Sequence, residues 1–479
     1  MDDNGFSERE LEDIGRFLRE MLDRGVWDQE DLDQLVEITR RSEFQRGWIT
    51  IEQLDAIALD VTEYYRENGF ILATAFIPAQ EVTDNVIRFN VLEGRLGNVT
   101  VSNNEVYSPE TISAVFAKDI GAAVTEERIE SALRRINDLP GIRVRGSFSP
   151  GEEVGETSLN LGVLQEQAWS SSVVFDNHGA EATGVHRLFA SAEWLNVADK
   201  GHRLTVGALR SEGPDSSIYG LVDYTMPITR DKRGEVRFGI SSNEFEVSGL
   251  ESLPNVTGET NNFGLTGSYQ FVRSRTFNLS AEAGYTQKDV LFDVEGAPLL
   301  SRDERLEVVN ATVDYNQLWD EQQLLLSARL GIDQGHIMSG ALRGQSSDFT
   351  KVLFGANLLK RFSLDNWLTK NESFFNFVVR LNGQYAEHAL SSVEQFSLGG
   401  PSGVRAFSVS DVSVDSAAYA GFELFFDAPV DLVSKFELPL EPIKPFVFFD
   451  YAYGVARTIG APVNRDAILK AYGIGFRLN

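Results

Sequence analysis

The sequence predicts two kinds of structure in series: α+β units over the first third, then an all-β transmembrane barrel of about sixteen antiparallel strands. Three observations carry this. Helical periodicity holds to about Glu166, then gives way to alternation with a period of two that persists to the last of the 479 residues. Aromatic residues sit near the ends of the alternating segments, at Trp194, Tyr219, Tyr224, Trp319 and Tyr385, as in an interfacial girdle. Long polar connectors such as "RSEGPDSS" and "IMSGALRGQSSD" alternate with short turns such as "TRDKRG".

Composition narrows the function. The net charge of −28 argues against nucleic acid, because phosphate binding needs a basic face. There is no cysteine, so disulfides and thiolate sites are excluded. No run of about twenty apolar residues exists, so no transmembrane helix is expected. The start, "MDDNGFSERELEDIGRF", has neither a basic nor an apolar leader region, which reads as a mature or truncated form without its secretory signal.

The elements follow in order. Residues 1–45 read as an acidic helical segment, part of or appended to the first α+β unit. Thr50 with Gln53 forms a capping box, and Leu54, Ile57, Ala58, Val61, Tyr64 and Tyr65 follow at helical spacing up to Gly69. Two short strands come next, "FILATAFIP" and "NVIRFNVLEG", turning at Asp84-Asn85. A second unit opens with "LGNVTV". Ser108 before Pro109 caps one helix, Ile129, Ala132, Leu133 and Ile136 face inward on another, and Pro140-Gly141 ends it. "IRVRGSF" and "TSLNLGVL" then pair. The order β-α-α-β-β makes 46–96 and 97–165 a tandem repeat, apart from the opening strand of the first unit. From 166 to 479 strands dominate. Phe277, Leu279, Ala281, Ala283 and Tyr285 alternate with polar neighbours, as do Phe375, Phe377, Val379, Leu381 and Tyr385, and Val236, Phe238 and Ile240. A soluble β-sandwich alternates too. Persistence over roughly three hundred residues, at about twenty per strand and connector, favours the barrel.

Several phrases now carry a resemblance. "LDVTEYYRENGFILATAFIPAQEVTDNVIRFNVLEGRLGNVTV" resembles the first POTRA domain of two-partner secretion transporters, the haemolysin and filamentous-haemagglutinin exporters of the Omp85 superfamily. "INDLPGIRVRGSFSPGEEVGETSLNLGV" is similar to the close of their second POTRA domain, and "FDNHGAEATGVHRLFASAEWLN" to their entry into the barrel. "LNGQYAEHALSSVEQFSLGGPSGVRAF" resembles the strand and loop leading to their loop-tip signature, and "PFVFFDYAYG" a later strand with a Phe-x-Asp element. The likeness runs from about residue 46 to 479.

The resemblance implies that the loop bearing Val404, Arg405 and Phe407 folds back into the lumen. It also implies that the wall element of Phe448 and Asp450 receives the arginine. An arginine in a partly dehydrated pore needs an anionic partner, and Gly399, Gly400 and Gly403 allow sharp turns and close approach. The family has glycine after the arginine; Ala406 stands there instead, which puts a positive φ at that position in doubt.

No catalytic constellation is found. The five histidines, His178, His186, His202, His336 and His388, lack metal-ligand spacing, and there is no G-x-S-x-G elbow. The expectation is therefore a monomeric, non-enzymatic outer-membrane translocator with no cofactor or metal. It would export a large secreted partner exoprotein of haemolysin or adhesin type, with its POTRA units in the periplasm and its barrel in lipid. Edges for cargo are expected at Phe70, Leu72, Phe76, Ile87, Phe89 and Val91 in the first unit, and at Ile142 and Val144 in the second. An insertase of the same superfamily and a soluble acidic ligand-binding β-protein remain the alternatives.

Overall fold

The computed structural model describes residues 50–82, 86–198, 200–212, 216–229, 231–247, 254–365, 372–409, 411–426, 444–459 and 464–477. The acidic segment expected over 1–45 and the Asp84-Asn85 turn lie outside them. The chain divides into two compact units. One holds residues up to 97 with 121–126 and 150–157; the other holds 98–120, 127–149 and 158 onward.

In the first unit, helix α1 (Ile51–Glu67) starts at the capping box, Thr50 accepting from the Gln53 amide while the Gln53 side chain accepts from the Thr50 amide. Of its expected stripe Ala58 is buried and Ile57 is exposed; Thr62 is buried instead. Thr62 Oγ1 accepts from the Ala75 amide at 2.9 Å, docking β1 (Thr74–Phe76) on the helix. The two expected strands are paired over only three residues each, β1 with β2 (Asn90–Leu92).

Strand β3 (Arg95–Ser102) leads to α2 (Pro109–Ser113), a 3-10 turn (Ala114–Phe116), α3 (Glu126–Asn137), β4 (Ile142–Pro150) and β5 (Glu156–Glu166), the β-α-α-β-β order read from sequence. Ser108 caps α2 by accepting from the Thr111 amide, with Pro109 at the first turn. Ile112, Phe116, Ile129, Ala132 and Ile136 fill the core of this small fold. Gly141, at φ +74°, stops the chain after α3. The sheet order is β3-β5-β4, so β3 and β4 are its edges.

The remaining strands form one antiparallel sheet. They are β6 (Trp169–Asp176), β7 (His186–Leu195), β8 (Arg203–Glu212), β9 (Ser216–Pro227), β10 (Gly234–Val247), β11 (Val256–Arg273), β12 (Phe277–Val294), β13 (Arg302–Trp319), β14 (Leu324–Ser339), β15 (Asp348–Asp365), β16 (Glu372–Ala386), β19 (Ser416–Phe426), β20 (Lys444–Ala456) and β21 (Arg465–Arg477). Each pairs with its neighbour in chain order, so fourteen strands are seen among the described residues where length suggested about sixteen. The long loop between β16 and β19 carries a two-residue ladder, β17 (Phe396–Ser397) with β18 (Ser413–Val414).

One parity of each strand is apolar and exposed. Phe238 and Ile240 on β10, Phe263 and Leu265 on β11, and Val309 and Val313 on β13 are examples. The other parity carries polar groups such as Asp314, Arg329 and Arg380. A sandwich would bury its apolar parity against a second sheet; here that parity faces outward, as a membrane barrel requires. This overturns the soluble β-protein alternative. No helix among the described residues is long and apolar enough to cross a membrane.

Candidate functional site

The loop from 387 to 415 folds onto the inner face of the sheet and is fastened there at two places. At its tip the backbone makes tight turns. Val404 donates its amide to the Leu398 carbonyl at 2.8 Å, and Gly400 donates to Phe407 at 2.8 Å. Gly400 sits at φ +86°, and a Cβ on Gly403 would lie 2.3 Å from the Leu398 carbonyl oxygen. A Cβ on Gly399 would lie 2.2 Å from the Ser408 carbonyl oxygen. Ala406 is not among the described non-glycine residues of positive φ, so alanine costs nothing there. Leu398 and Val404 are fully buried against Ala417, Tyr419, Ala452, Leu469 and Ala471 of the wall, and Phe407 packs beside them.

This turn delivers Arg405 to the wall. Its Nε donates to Asp450 Oδ2 at 2.7 Å and its Nη2 to Asp450 Oδ1 at 3.1 Å, a bidentate contact. Nη2 also reaches Glu423 Oε1 at 2.7 Å, and the guanidinium lies 4.1 Å from the centre of the Phe448 ring. Strand register explains the set. Asp450 pairs with Gly421 and Phe448 with Glu423, so all three wall groups share the inner parity of two adjacent strands. Tyr419 donates to Asp450 Oδ1 at 3.0 Å. A Cβ on Gly421 would lie 2.2 Å from the Tyr419 hydroxyl, so glycine makes room for that bond. Arg380 Nη2 meets Glu423 Oε1 at 2.5 Å. Asp450, Glu423 and Tyr419 are almost completely buried.

Sequence reasoning missed Glu423 and Tyr419. The signal was present: they stand on one parity of the strand next to "FVFFD".

It also missed the second fastening, at the loop's root. Glu394 accepts from Lys351 Nζ at 2.7 Å and from Lys288 Nζ at 2.6 Å. Lys351 also lies 3.4 Å from Asp333. Gln384 donates to the Glu394 carbonyl at 3.1 Å. Beside it Leu390 packs into a cluster with Leu306, Val308, Ile337 and Phe349. Burial pushes the Glu394 carboxyl up, but Lys351 and Lys288 more than offset this and hold it below the usual glutamate range. No local sequence signal joins these residues; they come from the loop and from four separate strands.

The α+β residues expected to meet cargo are placed as follows. Phe70 and Leu72 precede β1, and Phe76 ends it, exposed. Ile87 and Phe89 precede β2 and are half-buried, and Val91 lies within it. Ile142 and Val144 lie on the edge strand β4, but their side chains are buried in the core. The Val144 main chain is also occupied: its amide donates to Asn137 Oδ1 at 2.7 Å and its carbonyl accepts from Asn137 Nδ2 at 3.3 Å. Among the described residues no three metal-ligating side chains converge.

A barrel-type sheet with small α+β domains before it and a long loop latched on its inner wall defines a class, the outer-membrane β-barrel transporters with POTRA domains. The profile of the family described as haemolysin secretion/activation protein ShlB/FhaC/HecB matches residues 155–478, and that of the ShlB-type POTRA domain matches 25–94. The chain belongs to this haemolysin secretion/activation family. It is 24% identical over 448 residues to the heme/hemopexin transporter protein HuxB of Haemophilus influenzae, covering 90% of this chain and 75% of that protein. It is 26% identical over 391 residues to the outer membrane transporter CdiB of Dickeya dadantii, covering 79% and 67%. Among solved structures it resembles CdiB from Escherichia coli, with a TM-score of 0.69 at 19% identity over 94% of this chain and 82% of that one. CdiB from Acinetobacter baumannii gives 0.64 at 16% identity, over 99% and 82%.

Proposed function

We propose that this chain exports a large secreted partner protein of haemolysin or adhesin type from the periplasm across a Gram-negative outer membrane, acting as a monomer without cofactor. Residues 46–96 and 97–165 serve as two POTRA units, with 1–45 belonging to the first. They receive the cargo unfolded, by adding it as a strand to an open edge, where main-chain hydrogen bonds demand little of its sequence. In the second unit that edge is Gly146 to Phe148, since Asn137 occupies Val144. In the first, Phe76 with Val91 offers exposed or half-buried apolar surface beside the β1–β2 pair. The sheet of 166–479 supplies the conduit, and the loop latched by Arg405 is its brace and plug.

The observation that carries the reading is the Arg405–Asp450–Glu423 latch, set inside a sheet that matches a secretion family along its whole length. The test is release of the protein encoded beside this chain into the medium when both are produced together. Arg405→Ala is expected to lower release severalfold while the barrel still shows heat-modifiable migration. Release at the unmodified level would remove the latch from the mechanism. Loss of outer-membrane protein assembly, with cargo release intact, would instead assign the chain to the insertases.

A further inference from the structure

The outward face of the sheet carries a cleft of about 720 Å3 that the transport reading does not use. Small residues floor it: Gly267 on β11, Ala281 and Ala283 on β12, and Ala311 on β13. Tyr269, Leu330 and Ile332 wall it and are 37%, 61% and 50% exposed. Register makes the trough continuous. Gly267 pairs with Ala283, Ala283 with Ala311, and Ala311 with Ile332. At about 4.8 Å per strand, the crossing from β10 to β14 spans roughly 19 Å. One leaflet of a hydrocarbon core about 30 Å thick needs roughly 15 Å.

One end of the trough is basic. Ile228 and Gly234 close it, and the turn between them holds Asp231, Lys232 and Arg233. Arg233 Nη1 donates to the Phe271 carbonyl at 3.2 Å, and the Phe271 ring stands edge-on to Tyr269 with centroids 5.0 Å apart. The guanidinium is thus held beside the trough's mouth. The turn lies at the same end of the strands as the small fold that precedes β6. In that fold Asp119 has its carboxyl raised by burial, while Arg135, Arg128, Arg233 and Lys118 draw it back. Asp231 lies 3.5 Å from Arg233 Nε, so Asp231, Lys232 and Arg233 together carry one net positive charge. A net-positive turn in a chain of net charge −28, at the foot of an apolar trough, matches an anion carrying a hydrocarbon tail.

We propose that this face binds an anionic glycerophospholipid of the periplasmic leaflet, one acyl chain lying in the trough and its phosphate against Lys232 and Arg233. A second copy of the chain fits less well, because a two-fold contact over the trough would bring two basic turns to the same depth.

The test uses the whole chain, extracted from membranes in mild detergent. Native mass spectrometry then reads the phospholipid that remains bound. The unmodified protein should retain one anionic phospholipid in preference to phosphatidylethanolamine. Ala283→Phe, which fills the trough, and the pair K232Q/R233Q, which discharges its mouth, should each lower retention roughly tenfold, the effect of about 1.4 kcal/mol. Heat-modifiable migration shows that each variant is folded, and the surface pair tests the site even if the filled trough disturbs the sheet. Equal retention in the unmodified protein and the surface pair overturns the proposal. So does a loss of dimers in Ala283→Phe with phospholipid unchanged, which would assign the trough to a second copy.

Discussion

The two ends of the inward loop are held by charge groups of opposite construction. At the tip the loop supplies a cation, Arg405, which lies between two carboxylates, Asp450 and Glu423, the second also held by Arg380. At the root the loop supplies an anion, Glu394, which lies between two ammonium groups, Lys288 and Lys351, with Asp333 3.4 Å from Lys351. The tip partners stand on the adjacent strands β19 and β20, whereas the root partners come from β12 and β15. The tip therefore fixes the loop to one wall segment, and the root ties it to strands elsewhere in the sheet. Taking these charges out of water is costly, so neither group is a net source of stability. What each supplies is specificity of position: with one partner removed, the others lose part of their compensation.

That contrast orders the expected effects. Asp450→Ala should act most strongly. It strips Arg405 of its bidentate partner and Tyr419 of its acceptor, a loss of about 3–5 kcal/mol in the seating of the loop. Limited proteolysis between 398 and 412 should accelerate, and single-channel conductance in planar bilayers should rise. An unaltered cleavage pattern would mean the tip is held by its apolar contacts alone. Glu394→Gln should cost less, about 2–3 kcal/mol, because Asp333 still lies near Lys351. Its signature is cleavage near 387–395 with the tip still protected, and exposure of both ends together would show that the two fastenings are one unit. Tyr419→Phe removes one hydrogen bond to a carboxylate and should weaken the tip by about 1.5 kcal/mol.

Acid should separate the two ends as well. Glu394 has its folded-state pKa lowered, so its contribution is complete above the unfolded value and is lost as pH falls through the folded one. The root should loosen only below about pH 4, the ordinary glutamate range. Conductance recorded from pH 7 downward tests this, and a step near neutrality would contradict it. The smallest effect is expected from Asp138→Ala. Asp138 makes a bidentate contact with Arg273, both nitrogen–oxygen distances 2.7 Å, but the pair is partly exposed. About 0.2–1 kcal/mol should be lost, and less at high salt. Thermal melting at two ionic strengths measures it.

How much of this was legible depended on the range of the interaction. The capping box at Thr50, the Ser108–Pro109 start and the stop at Gly141 are contacts within a few residues, and local chemistry specifies them. The outward parity of β10, β11 and β13 was legible too, because hydrocarbon on one face and water on the other impose a period of two on the sequence itself. The Arg405–Asp450 pairing came from a family likeness, whereas Glu423 and Tyr419 needed the register of β19 against β20. Ile142 and Val144 lie on an edge strand as the pattern suggested, but alternation cannot say which parity a small sheet buries, nor that Asn137 occupies the Val144 backbone.

By itself, then, the sequence determined the order of the domains, the local starts and stops, and which side of each strand faces outward. Only the tertiary structure decided which strands brought Lys288 and Lys351 to Glu394, which parity of β4 turned inward, and how small residues on adjacent strands aligned into an outward trough. The physical reason is that side-chain period is a property of one strand, while charge partnership and cavity shape depend on register between strands far apart in the chain.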